Sequence, residues 1–343
     1  MRTSMEVAGL RVRTGWERLP SGLTHRDVAD VAVDRDDRVY LFVRHDSQVL
    51  VFDRDGRHLR AFGRGMFKMA HGITVDGDGC VYCVDNLDHT VRKFSPRGEL
   101  LLTLGTSGIG TATGIRPGEP VSVHSVERVR HPGPPFNGCT DVAVTDDGDL
   151  FVSDGYGNCR VHHFSATGEL LGSWGEVGSD PGQFRLPHAI VLTGDGRLLV
   201  ADRENDRIQI FDQGGTFLGQ WTGLQRPTDI AVAGDGRVFV SELWRPKGNR
   251  GFLRDDSGLD QPSQVAVLDA SGAVLGRWGA STTAKNAPGN FIAPHGLTFD
   301  SRGNLYVAEV TYSFALRPGW VPADHASHQL QRFDPVDASE GDR

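Results

Sequence analysis

Residues 186–221 read Leu-Pro-His-Ala-Ile-Val-Leu, Thr-Gly-Asp-Gly, Arg-Leu-Leu-Val-Ala-Asp, Arg-Glu-Asn-Asp, Arg-Ile-Gln-Ile-Phe-Asp, Gln-Gly-Gly, Thr-Phe-Leu-Gly-Gln-Trp. Short apolar runs alternate with Gly/Asp-rich turns, the pattern of four strands in one antiparallel sheet. The same unit starts near residues 28, 69, 138, 186, 226 and 293. One such unit buries its apolar face poorly alone, so six of them are expected to stack around a common axis. The reading is therefore an all-β, six-bladed β-propeller formed as one domain over residues 1–343.

The last unit ends at Gln331-Arg-Phe-Asp, one strand short, and the stretch at about 7–16, with Gly9-Leu-Arg-Val-Arg-Thr-Gly-Trp, matches the missing fourth strand. It is expected to complete the last blade and remove an open sheet edge. The formal net charge of −8 gives no electrostatic reason to expect nucleic acid. No apolar run approaches a membrane span. The first residues, Met-Arg-Thr-Ser-Met-Glu-Val-Ala, lack the apolar core of a secretory signal, so a cytoplasmic location is the expectation. Cys80 and Cys83 stand three apart on a strand and face opposite ways, which disfavours a shared metal. Cys139 and Cys159 fall in one repeat and can lie close together; free thiols are expected there, because cytosolic cysteines ordinarily stay reduced.

His71, His188 and His295 occupy one position of the repeat, just before the first strand of copies two, four and six. Copies one, three and five carry Ala29, Thr140 and Thr228 there. Alternate blades of a sixfold ring lie about 120° apart, so the three imidazoles point at one axis. With 13 histidines in the chain, chance fills such an alternate trio on the order of once in ten thousand. Copying of a structural histidine would also fill adjacent blades, which lack it. Three neutral imidazoles suit Zn²⁺ with an open fourth position, and ligand type alone leaves other divalent ions open.

Strand direction alternates within a blade, so the start of the first strand and the end of the second share a face. That puts Arg44, Tyr156 and Arg203 at the histidine mouth. The long insertions 106–137, 245–262 and 311–328 are expected to overhang it and to serve binding. Arg44 follows Val43, where five other copies have an acid, and is a carboxylate clamp or else a partner of Asp46 or another channel acid. Tyr156 either packs or, beside a cation and an arginine, acts as a general base. The recurrent Asp85, Asp154, Asp202, Glu242 and Glu309, with Asp30, Asp141 and Asp229, are expected to bond backbone amides. His89, His124, His131, His162 and His163 lack the repeat position and are expected on the surface or in loops. His325 and His328, in the last insertion, are placed to reach a substrate.

The repeat is that of the NHL family of six-bladed propellers, over about residues 28–334. Within it, Val39-Tyr-Leu-Phe-Val-Arg, His71-Gly-Ile, Asp154-Gly-Tyr-Gly-Asn, Gly182-Gln-Phe-Arg-Leu-Pro-His and Ala201-Asp-Arg-Glu-Asn-Asp-Arg-Ile-Gln resemble peptidyl-α-hydroxyglycine α-amidating lyase. The resemblance implies zinc on His71, His188 and His295, a catalytic Tyr156, and functional Arg44 and Arg203. It implies cleavage of the C–N bond of a carbinolamide to an amide and glyoxylate. It also implies a structural calcium held by an Asp after the third histidine; Gly296 stands there, which puts calcium in doubt. Ala293 replaces a methionine, and Gly157 replaces the family's second disulfide cysteine.

The function expected is a metal-dependent lyase acting on a carbinolamide or related α-hydroxy compound, with a small-molecule or peptide-like substrate. A propeller hydrolase or hydratase using metal-bound hydroxide, and a non-enzymatic NHL scaffold, are the alternatives. Glyoxylate release separates the first from the second; loss of metal in His71→Ala separates both from the third.

Overall fold

A computed structural model describes residues 9–336 except 117, 118, 120, 134, 249–257 and 328. Six four-stranded antiparallel sheets stand around one axis, each in simple up-and-down order. Their first strands are Val28–Val33, Ala70–Val75, Cys139–Val144, Pro187–Leu192, Pro227–Val232 and Pro294–Phe299. Each packs beside the first strand of the next blade, and the sixth packs against the first, so the ring is closed.

Burial grades outward through a blade. The second strands, such as Val39–Val43 and Leu198–Asp202, are buried on both faces because a neighbouring blade covers each side. The outermost strands alternate, as in the exposed Leu218 beside the partly covered Phe217 of Phe217–Trp221. The Asp-Gly turns need a left-handed residue: Gly196 sits at φ 82° and its amide reaches Thr193 O at 2.9 Å.

Closure uses the N-terminal segment. The strand Leu10–Arg13 pairs antiparallel with Leu330–Pro335 as the outer strand of the last blade, with Leu10 opposite Pro335. Residues 7 and 8 of the expected strand lie outside the described residues. Leu10 is buried in the core of the last two blades, and Trp16 packs edge-on against Tyr306 at 5.0 Å. Gly56 permits that approach, since a Cβ there would lie 1.8 Å from Trp16 O.

At the start of every first strand the register slips. The slips fall between Val28 and Asp30, Ala70 and Ile73, Cys139 and Asp141, Pro187 and Ala189, Pro227 and Asp229, and Pro294 and Gly296. Each is a β-bulge, which leaves a residue unpaired and re-aims its groups. The residues released are Ala29, Thr140 and Thr228 in three blades, His188 and His295 in two, and His71 together with Gly72 in the second. Deleting residues 1–14 exposes the edge of Leu330–Pro335 and removes Leu10 from the core. Thermal unfolding of that variant is expected to lie at least about 5 °C lower; an unchanged transition would mean that the ring closes without this strand.

Candidate metal centre

The bulges turn His71, His188 and His295 inward until their ring centroids lie 4.7 Å apart in all three pairs. One ring nitrogen from each falls within 4.8 Å of the other two, the only such histidine, cysteine or carboxylate group among the described residues. Each Nδ1 lies 2.7 Å from a carbonyl of the following blade: His71 from Thr140 O, His188 from Thr228 O, His295 from Ala29 O. A carbonyl only accepts, so each Nδ1 carries the proton and each Nε2 presents a lone pair. This is the outer-shell arrangement of metal-ligating histidines.

The rings are also held neutral. Burial pushes His71 well below the ordinary imidazole range, and Arg44 adds to the shift. Burial and Arg203 do the same for His188; burial, His71 and Arg44 do it for His295. Three buried, neutral, co-directed imidazoles fit a zinc-type ion with a further position open toward the mouth. An aspartate after the third histidine, as in the resembling family, has no room at position 296. A Cβ at position 296 would lie 2.1 Å from Asp30 Oδ1, and that carboxylate already takes the amides of Val31 and Ile73.

Tyr156 stands over the histidines, its Oη 3.4 Å from both His71 Nε2 and His188 Nε2. Arg203 donates to that oxygen at 3.2 Å. Arg203 is itself fixed by Glu204, which accepts from Arg203 Nε at 2.9 Å and from Arg226 at 2.8 Å. Burial would raise the Glu204 carboxyl, but Arg226 and Arg203 outweigh it and hold it at about 2. Arg44 pairs with no acid among the described residues; it donates to Ala70 O at 3.2 Å and Ser313 Oγ at 2.6 Å. Asp46, the partner considered for it, binds Arg64. Of these, Arg44, His71, His295, Tyr156, Arg203, Arg226 and Ser313 border a cavity of about 270 Å³ at the mouth.

The insertions divide in their roles. Val121 and Ser122 of the first, and Ser313, Phe314 and Arg317 of the last, line the cavity. None of the described residues of 245–262 does; Arg245 instead pairs with Asp206 at 2.9 Å. The recurrent acids take backbone amides: Asp85 those of Lys68 and Met69, Asp154 that of Asn137, Asp202 that of Arg185, Glu242 that of Gln225, Glu309 those of Ile292 and Ala293.

Several expectations need correcting. His162 is not a surface residue: it is fully buried in the strand Arg160–Phe164, bonded to Ser173 Oγ. His89 lies in a turn, as expected, but is buried there and accepts the Gly138 amide. His325 bonds Asp324 and is not among the residues lining the cavity; His328 lies outside the described residues. The cysteines need no correction: all four are free thiols, as expected for Cys139 and Cys159, and burial pushes Cys159 up to about 12. Sequence reasoning missed Glu204, Arg226 and Ser313. Only the adjacency of Glu204 to Arg203 was visible; Arg226 and Ser313 come from other blades.

The NHL repeat family matches residues 136–164 and 184–211. Human NHL repeat-containing protein 3 is 30% identical over 318 residues, which cover 88% of this chain and 81% of that protein. The chain belongs to the NHL-repeat family. This NHL-repeat protein is also 38% identical over 294 residues to Xenopus laevis peptidyl-glycine alpha-amidating monooxygenase A, covering 82% of the chain but 28% of that protein. With Drosophila melanogaster peptidyl-alpha-hydroxyglycine alpha-amidating lyase 1 it shares 32% identity over 268 residues, 73% of the chain and 44% of the relative. A streptogramin B lyase structure superposes with a TM-score of 0.57 at 14% identity, over 95% of this chain and 97% of that one, a likeness of fold alone. Among the described residues no helix is long and apolar enough to cross a membrane.

Glu204→Gln removes the one carboxylate between two buried guanidiniums and is expected to destabilise by about 3–5 kcal/mol near pH 7. Because Glu204 sits at about 2 against an ordinary 4.5, its contribution is complete above 4.5 and is lost as pH falls toward 2. Denaturant titrations should therefore find the gap between wild type and variant closing over that window; a gap independent of pH would contradict the ion-pair account.

Proposed function

We propose that the protein is a zinc-dependent lyase that cleaves the C–N bond of an N-acyl-α-hydroxyglycine. The observation that carries this is the Tyr156 hydroxyl, set between two ligand-type histidine nitrogens and an arginine at the base of one cavity. A bound zinc ion supplies Lewis acidity toward the substrate hydroxyl.

Tyr156 accepts the proton of that hydroxyl, with Arg203 beside it stabilising the negative charge on the phenol oxygen. Arg44, held by neutral partners, keeps its charge for the substrate carboxylate. As the C–O bond gains double-bond character, the C–N pair leaves with nitrogen. The proton held by Tyr156 passes to that nitrogen, so the products are a primary amide and glyoxylate. Glu204 touches no substrate; it positions Arg203. Sequence similarity to the Drosophila amidating lyase supports this reaction class. A metal-hydroxide hydrolase has no need of a phenol between the ligands, and a scaffold has no need of three neutral co-directed imidazoles.

Protein purified without a histidine tag is expected to retain about one equivalent of zinc, and His71→Ala less than about a tenth. Zinc-loaded protein should release glyoxylate from N-acyl-α-hydroxyglycines. Tyr156→Phe should lose roughly 10²–10⁴ in kcat while keeping its zinc. Absence of bound metal with no rescue by added zinc ends the proposal; full activity in Tyr156→Phe removes the base from it.

A further inference from the structure

Among the described residues, the cavity above the histidines is lined by four arginines, Arg44, Arg203, Arg226 and Arg317, and by no carboxylate. Their partners differ. Arg226 is spent, donating to Glu204 and to Trp244 O. Arg203 shares the single charge of Glu204 with it. Arg44 has only neutral acceptors. Arg317 is exposed at the rim, and its side chain has no partner among the described residues. Among the described residues, Glu204 is thus the one carboxylate bonded to any of these four guanidiniums, around a space of about 270 Å³. A substrate with one carboxylate leaves most of that positive potential unmatched.

We infer that the substrate carries a second anionic group, a carboxylate at the far end of a short aliphatic acyl chain, and that Arg317 binds it. This rests on the lyase reading above and names its substrate class. The position of Arg317 is built rather than incidental. The helical turn Tyr312–Leu316 is anchored by Asp27, whose carboxylate accepts the amides of Tyr312 and Ser313 at 2.8 and 3.0 Å. The Arg317 amide closes that turn on Tyr312 O at 2.8 Å. Ser313 in the same turn holds Arg44, so one turn places both arginines. Phe314 beside them packs edge-on against Trp320 at 5.3 Å and Trp244 at 6.4 Å. With Leu243 and Val310 it forms the apolar wall of the cavity, a surface for methylene groups rather than for polar backbone.

Calorimetry on zinc-loaded protein with α-hydroxyadipate and α-hydroxyhexanoate, equal in carbon count, tests this without turnover. Wild type is expected to bind the diacid at least about tenfold tighter, the worth of one charge-assisted contact. Arg317→Gln should erase the preference by weakening the diacid alone, and Arg317→Glu should reverse it. Equal affinities in wild type, or a preference untouched by Arg317→Gln, overturns the inference. Glyoxylate release from N-adipoyl- and N-hexanoyl-α-hydroxyglycine then separates the two claims. A diacid preference in binding without release from either compound supports the two-anion cavity and defeats the lyase reading. Release from both at equal kcat/KM upholds the lyase and overturns the second anion.

Discussion

Six hydrogen bonds around the propeller axis join each blade to the next, and the candidate metal centre is made from three of them. In blades one, three and five an aspartate reaches the following blade: Asp30 accepts the Ile73 amide, Asp141 that of Ile190, and Asp229 that of Leu297. In blades two, four and six an imidazole Nδ1 does so, donating to Thr140, Thr228 and Ala29 carbonyls. The last of these spans 266 residues and closes the ring. The bond that fixes each histidine tautomer is therefore also a joint between blades. Closing the fold and preorganising the ligands are one event.

The same alternation sets the electrostatics along the axis. The aspartates lie in the layer of the channel next to the histidines, with little room between them. Burial raises Asp30 and Asp229 well above the carboxylate range, helped by Asp229 and Asp141 on Asp30 and by Asp141 on Asp229; burial brings Asp141 to about 7. A layer that resists ionisation sits under a layer of neutral imidazoles. Above both, the mouth is crowded with guanidinium groups held apart by Glu204, Ser313 and backbone carbonyls. The guanidiniums of the mouth direct an anion to the open side of the histidines.

Fold and ligand trio were legible in the sequence because a repeat writes the same local instruction six times. Alternating apolar runs, Asp-Gly turns and a residue just ahead of the first strand recur in the same order in every unit, so equal position within a unit becomes equal angle around the axis. Arg44, Tyr156 and Arg203 followed from strand direction alone. The buried His162 was misplaced because its strand is inner, and its polar partner Ser173 lies across a hairpin that periodicity does not grade for burial.

By itself the sequence determined the sixfold ring, its closure by the first strand, and which residues share a mouth, since these follow from period and alternation. The tertiary structure decided what those residues do to one another. The bulges that turn the imidazoles, the carbonyls that set their protons, the Glu204 bridge between Arg203 and Arg226, and the hold of Ser313 on Arg44 all join groups from different blades or insertions. Such contacts depend on distances of a few ångströms across the axis, and no local pattern encodes a distance between segments tens or hundreds of residues apart.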